Sequence, residues 1–150
     1  MENKSYNCAF IVRQTPTEVQ TAINNVSQWW TAHTEGSSYQ INDTFTVRFG
    51  DTWVSFSVTK LDAGKETEWA VTDCMLPWLE DKKEWNNTAV HFRITETSEG
   101  TKLEFTHKGL SPELPCYENC RSGWDFYAMK SLQQLIATKT GLADGKNRKD

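Results

Sequence analysis

Three successive hairpins between residues 45 and 107 constrain the fold of this 150-residue chain more than any other feature. In the clearest of them, two runs of alternating apolar and polar residues flank Gly50-Asp51. A two-residue turn there pairs position 49 with 52, 47 with 54 and 45 with 56. Because strand side chains alternate between the two faces of a sheet, the apolar members share one face. They are Phe45, Val47, Val54, Phe56 and Val58.

The next two hairpins continue this pattern. The second turns at residues 62–65 and returns through residues 66–72, with Trp69 and Val71 facing inward. The third joins residues 88–96 to residues 101–107 across a turn that ends in Gly100. Its register places apolar side chains opposite one another on the inner face, which favours this pairing. The facing pairs are Ile94 with Leu103, Phe92 with Phe105 and Val90 with His107.

Helical signals precede and follow the hairpins. After a first strand over residues 6–12, Thr15 suits an N-cap, Pro16 the first helical position and Glu18 the far end of a capping box. We expect Ser27 to cap a second short helix and residues 34–38 to form a polar loop. Residues 116–140 predict a long helix, in which Gly123 costs about 1 kcal/mol relative to Ala. That glycine indicates close packing or a bend.

This order of elements predicts an α+β fold: a curved antiparallel sheet of about six to seven strands wrapped on a long C-terminal helix, with two short N-terminal helices. We expect one domain over residues 1–150, with its core over about 6–141 and a flexible tail over 142–150. Because a straight helix covers only a stripe of a twisted sheet, side chains or a bound molecule must fill the space between them. The inward positions are mainly aromatic, which suits either role.

Charge and composition exclude several functional classes. A net charge of −4 argues against a nucleic-acid-binding surface. No apolar run approaches the roughly 20 residues of a membrane-spanning helix, and the first residues lack the apolar stretch of a secretory signal. We therefore expect a cytoplasmic protein with reduced cysteines, no cofactor and no metal. Nucleophile-elbow, zinc-protease, P-loop and dinucleotide-binding signatures are missing from the sequence.

Several short motifs, taken in their linear order, resemble the START-like (SRPBCC) superfamily. Within it, the chain is similar to the branch named after the activator of the heat shock protein 90 ATPase. The resemblance implies a helix-grip fold with a hydrophobic cavity under the C-terminal helix, which the superfamily uses for lipids, polyketides and other apolar molecules. The motifs are Phe10 with Pro16 and Val19, Trp29-Trp30, residues 85–88, residues 100–109, Gly123-Trp124 and Ser131-Leu132.

The leading functional hypothesis is a protein that binds a small hydrophobic, lipid- or polyketide-like ligand between the sheet and the C-terminal helix. His107 and Tyr127 are its expected polar anchors, and Trp78 lies in a segment expected to cover the cavity mouth. The predicted ligand-binding residues are Phe45, Val54, Phe56, Trp69, Val71, Trp78, Val90, Phe92, Phe105, His107, Trp124, Tyr127 and Leu135.

Two alternatives stay open at this point. In one, the apolar 75–85 segment docks a protein partner, which would make the chain an interaction module linked to a chaperone. In the other, His107 is the acid–base group of a cyclase or hydratase. Cys116 and Cys120 are predicted to be buried thiols and not metal ligands. We expect a monomer or a homodimer.

Overall fold

Seven antiparallel strands form one sheet in the computed structural model, which describes residues 6–77, 82–110 and 117–143. The spatial order is β1-β7-β6-β5-β4-β3-β2, so each strand from β2 to β7 lies beside its neighbour in the chain and β1 closes the far edge against β7. This arrangement confirms the predicted α+β class. The strands are β1 (Tyr6–Val12), β2 (Thr34–Gly36), β3 (Thr44–Phe49), β4 (Thr52–Asp62), β5 (Glu66–Met75), β6 (Ala89–Thr97) and β7 (Gly100–Lys108).

The observed strand registers match those predicted from the hairpins. Phe45 lies opposite Phe56, and Val90 lies opposite His107. The pairing of β4 with β5 shifts twice, between Ser55 and Phe56 and between Val58 and Lys60. Such irregularities bend a strand and increase its twist, so they curve the sheet around whatever packs on its inner face.

Strand β2 replaces the polar loop that we expected over residues 34–38. It pairs with β3, placing Gly36 opposite Phe45. Three residues are too few for an alternating pattern to show in the sequence. Gly36 has a φ of +97°, and a Cβ there would lie 2.3 Å from the carbonyl oxygen of Thr44, so this edge requires glycine.

Two short helices, α1 (Pro16–Asn24) and α2 (Val26–Trp29), follow the first strand. The predicted capping box is present, because the Thr15 hydroxyl accepts from the Glu18 N–H and the Glu18 carboxylate accepts from the Thr15 N–H. Helix α2 begins earlier than the predicted cap at Ser27. The Gln28 N–H already donates to the carbonyl of Asn25, which allows Val26 to be buried.

The C-terminal helix runs from Tyr117 to Thr138 and changes its winding in the middle. It comprises α3 (Tyr117–Trp124), a π-helical segment (Asp125–Ser131) and α4 (Leu132–Thr138). Lys139, with a φ of +70°, ends the helix. Leu142 and Ala143 are buried, so the core continues two residues past the predicted boundary at 141. No helix among the described residues is long and apolar enough to cross a membrane.

Aromatic rings fill the space beneath the middle of this helix. Phe45 lies 4.8 Å from Trp69 between ring centroids, and Trp69 lies 4.9 Å from Phe92. Phe92 continues the chain of contacts to Phe105 at 5.2 Å, and Phe105 meets Trp124 of the helix at 4.7 Å. Rings in edge-to-face and tilted contact at these distances leave no room between them for a bound molecule.

Candidate functional site

An apolar cleft of about 220 Å³ lies beside this packed core, near the start of the C-terminal helix. On the helix side, its wall is formed on successive turns by Asn119 with Cys120, by Gly123 with Trp124, and by Tyr127. Residues three and four apart share one face of a helix, which explains how a single stripe of the helix forms this wall. Asn119 is exposed and Tyr127 is half-buried, so the cleft opens to solvent along the helix.

The sheet supplies the opposite wall of the cleft. Phe49 and Thr52 flank the β3–β4 turn, and Val54 lies one step further into β4. Leu76, directly after β5, and Trp85, shortly before β6, complete this side. Leu76 and Trp85 are both buried, so the two ends of the 75–85 segment face inward.

Trp30 joins the two walls from the end of α2. Its ring lies 4.8 Å from that of Trp124 and 6.2 Å from that of Phe49. Across the cleft, Phe49 also contacts Tyr127 at 5.8 Å. The rings therefore form a continuous lining that connects sheet and helix, with polar side chains of Thr52 and Asn119 among it.

Gly123 contributes empty space to the cleft. A Cβ placed on it would meet no atom within 4 Å, and its backbone is helical. The close packing that the sequence suggested is therefore not its reason. It lies two residues before the π-helical segment, and π segments occur frequently at functional sites.

Three of the predicted ligand-binding residues line this cleft, namely Val54, Trp124 and Tyr127. Trp78 lies outside the described residues. The remaining predicted positions do not line it but are buried or, like Leu135, packed towards α1. They are Phe45, Phe56, Trp69, Val71, Val90, Phe92, Phe105, His107 and Leu135.

Sequence reasoning missed Trp30, Phe49 and Gly123 as parts of the same wall, whereas Leu76 and Trp85 belong to the segment that we expected at the cavity mouth. The unexplained glycine was the one usable signal, since a glycine inside a helix needs a reason. Trp30 and Phe49 meet only through the tertiary fold, because α2 and the β3–β4 turn are brought together by the curvature of the sheet.

His107 is fully buried below the cleft, and both of its ring nitrogens are hydrogen-bonded within the protein. The Trp124 indole N–H donates to Nδ1 over 3.0 Å, and Nε2 lies 2.9 Å from the hydroxyl oxygen of Thr88. Nδ1 must accept, so Nε2 carries the proton and donates to Thr88, whose hydroxyl in turn donates to the carbonyl of Trp85. Burial lowers the pKa of His107 to about 3.

This geometry gives His107 the role of a positioning residue. It stays neutral near neutral pH, and neither ring nitrogen is directed at the cleft. Through its hydrogen bonds to Trp124 and Thr88 it instead holds Trp124 and Trp85 in place. These two cleft residues stack on each other at 5.9 Å and 18°.

The described thiols are also structural. Cys120 is buried in the cleft wall, and the Cys74 thiol contacts the Asn86 side-chain oxygen at 3.3 Å. Burial raises the pKa of the Cys8 thiol to about 11. Within residues 6–77, 82–110 and 117–143, no three metal-ligating side chains cluster, while Cys116 lies outside these ranges.

A larger depression of about 610 Å³ lies between the start of α1 and the β4–β5 turn, but its chemistry is different. Charged side chains of both signs border it, including Asp62, Lys65 and Arg93. It is an open polar surface, whereas the smaller cleft beside the C-terminal helix is lined mainly by apolar side chains.

Comparison with known proteins yields structural neighbours only. No family model matches the sequence, and no curated protein matches it. The solution structure of the Aha1 dimer from Colwellia psychrerythraea superposes with a TM-score of 0.73 at 21% identity, covering 94% of this chain and all of that one. A crystal structure from Mesorhizobium loti gives a TM-score of 0.72 at 16% identity, covering 88% and 96% of the two chains.

A third neighbour is a protein in the dynemicin biosynthetic locus, with a TM-score of 0.66 and 16% identity. It aligns over 93% of this chain and 49% of the longer neighbour. Structural similarity at such low sequence identity establishes the fold only. The function has to be argued from the residues of the site. The long helix held in a curved seven-stranded sheet, together with these superpositions, shows that the chain has the START-like, helix-grip fold.

Proposed function

We propose that the protein binds a small apolar molecule in the cleft beside the C-terminal helix. The volume of about 220 Å³ exceeds the roughly 150 Å³ of a cavity that holds benzene and is below the roughly 300 Å³ at which drug-sized sites begin. It suits a compact molecule of one or two rings better than an extended lipid chain.

Gly123 is the observation that carries this proposal. A glycine inside a helix costs about 1 kcal/mol relative to alanine. It is usually explained by a positive φ or by a neighbour too close for a Cβ. Gly123 has neither, and it borders the apolar cleft on the inner face of the helix. A bound molecule that needs this space accounts for the glycine.

The lining is suited to such a molecule. Trp30, Trp85 and Trp124 are buried by more than nine-tenths, so their walls are ordered before anything binds. Burying roughly 200 Å² of apolar ligand surface contributes on the order of 5 kcal/mol before association costs are subtracted. We therefore expect dissociation constants in the micromolar to millimolar range.

Filling the cleft from the protein side tests the proposal. Gly123→Leu places a side chain in the open space, while Ser122→Leu adds the same side chain at an exposed position of the same helix. Ligands are titrated into both variants and the wild type, with intrinsic tryptophan fluorescence and thermal shift as readouts. The panel contains naphthalene, decanoate and a flavonoid.

We expect at least one ring compound to bind the wild type and Ser122→Leu alike, and to bind Gly123→Leu at least ten-fold more weakly. No response from the wild type to any compound would contradict the proposal. So would unchanged affinity in Gly123→Leu.

The two other hypotheses receive less support. A protein-docking role for the 75–85 segment depends on Trp78 and Leu79, which lie outside the described residues, while Leu76 and Trp85 are turned inward. An acid–base role for His107 is less supported because both of its ring nitrogens are hydrogen-bonded within the protein. Cytoplasmic localisation and a monomeric or homodimeric state stay predictions.

A further inference from the structure

One wall residue of the cleft has a hydrogen-bond donor with nothing to bind. The indole nitrogen of Trp85 is buried and has no acceptor among the described residues. Buried polar groups in native proteins nearly always have a partner, and each exception needs an explanation.

Neighbouring tryptophans show how this fold normally satisfies the same group. The Trp124 indole N–H donates to His107, and the Trp29 indole N–H donates to the carbonyl of Ile23 over 3.1 Å. Trp69 also has an unpaired indole N–H, but it lies in the packed core and does not line this cleft. Trp85 is therefore the unpaired donor that belongs to a residue of the cleft wall.

The Trp85 ring packs against two other rings of the structure. It stacks on Trp124 and meets the edge of His107 at 4.5 Å. Its main-chain carbonyl accepts a hydrogen bond of 2.6 Å from the Thr88 hydroxyl, which anchors the backbone at this position.

We propose, on the basis of the cleft being a ligand site, that its occupant carries a hydrogen-bond acceptor that binds the Trp85 indole N–H. The ligand class is a compact apolar ring system with one carbonyl, ether or aromatic-nitrogen acceptor. As it binds, the indole turns within its stack far enough to present the N–H to the cleft. Shape and apolar burial provide affinity, and this single donor provides orientation and selectivity.

Naphthalene, quinoline and isoquinoline form a matched set of probes for this donor. The three have nearly the same shape, and only the last two carry an acceptor nitrogen. Each is titrated into the wild type, into Trp85→Phe and into the control Trp69→Phe, which removes an unpaired indole N–H away from the cleft. The readout is the ratio of naphthalene affinity to azanaphthalene affinity within each protein, which cancels general effects of a substitution.

We expect Trp85→Phe to weaken binding of at least one azanaphthalene at least five-fold more than binding of naphthalene, and Trp69→Phe to leave the ratio unchanged. An equal effect of Trp85→Phe on all three probes would overturn the inference while leaving the cleft a ligand site. If none of the probes binds the wild type, the ligand site and the inference both fail.

An NMR measurement on the wild type makes the test independent of the variants' folding. The chain has seven tryptophans, and the Trp85 indole N–H resonance is assigned in the wild type by through-space contacts to the rings of His107 and Trp124. We expect a downfield shift of that resonance with an azanaphthalene and not with naphthalene. A resonance that responds identically to both kinds of probe would contradict the proposed hydrogen bond.

Discussion

The indole N–H of Trp124 donates a hydrogen bond to Nδ1 of His107 over 3.0 Å, and so links the C-terminal helix to strand β7. Trp124 is at the same time part of the cleft wall, while His107 lies behind it. The polar residue that the sequence singled out as a ligand anchor thus acts on the ring that a ligand would touch.

Replacing this histidine is expected to destabilise the protein. His107→Phe leaves the Trp124 indole N–H buried without an acceptor and removes the donor to Thr88. We expect a loss of about 2–4 kcal/mol in the free energy of unfolding, measured by urea denaturation. The exposed His33 is the control, and His33→Phe should change stability by less than about 0.5 kcal/mol. A His107→Phe variant as stable as the wild type would refute the proposed link.

Acid is expected to destabilise the wild type through the same residue. Its pKa falls from 6.5 in the unfolded chain to about 3 in the fold, so between these values the unfolded chain binds a proton that the folded chain does not. The contribution of His107 to stability is therefore complete above pH 6.5 and is lost as the pH falls towards 3.

Comparison with His107→Gln isolates this effect. Carboxylates with lowered pKa values, such as those of Glu66 and Asp73, also reduce stability in acid, but they are common to both proteins and cancel in the difference. The difference in unfolding free energy between wild type and variant should be constant above pH 6.5 and shrink by a few kcal/mol below it. A difference that stays constant down to pH 4 would show that the histidine is not buried in the neutral form.

Two glycines of the C-terminal region should respond oppositely to the same substitution. Gly123→Ala adds a methyl group in open space and should raise the free energy of unfolding by about 1 kcal/mol. Gly141→Ala places a Cβ 2.2 Å from the Gln28 carbonyl oxygen and should destabilise the protein. Thermal unfolding of both variants checks the signs. Destabilisation by Gly123→Ala would mean that the space beside it is already occupied by protein.

The sequence was sufficient to predict the parts of this fold that depend on neighbours in the chain. Alternation and a two-residue turn determine the pairing of Phe45 with Phe56, and a local motif determines the cap at Thr15. The position of the cleft depends instead on how far the sheet curves. That curvature depends on the register shifts in the pairing of β4 with β5. Together with the π-helical winding after Trp124, these shifts determine which rings pack against one another and which leave space. Neither feature has a sequence signal of its own.

The same distinction explains which site residues were predictable. Val54, Trp124 and Tyr127 were found because each lies on the inner face of its own element. Phe92 and Phe105 lie on an inner face as well, but their rings meet each other at 5.2 Å and close the space that we expected them to line. Periodicity identifies the face of a residue and does not identify its contacts across the core.

The most direct test of the account is to locate a bound ring compound by intermolecular NMR contacts. With naphthalene bound to the wild type, we expect nuclear Overhauser effects from its protons to the Val54 methyl groups and the Gly123 Hα, and none to the Phe92 ring in the packed core. Contacts to Phe92, or contacts confined to residues outside the cleft, would contradict the claim that this protein binds its ligand beside the first turns of the C-terminal helix.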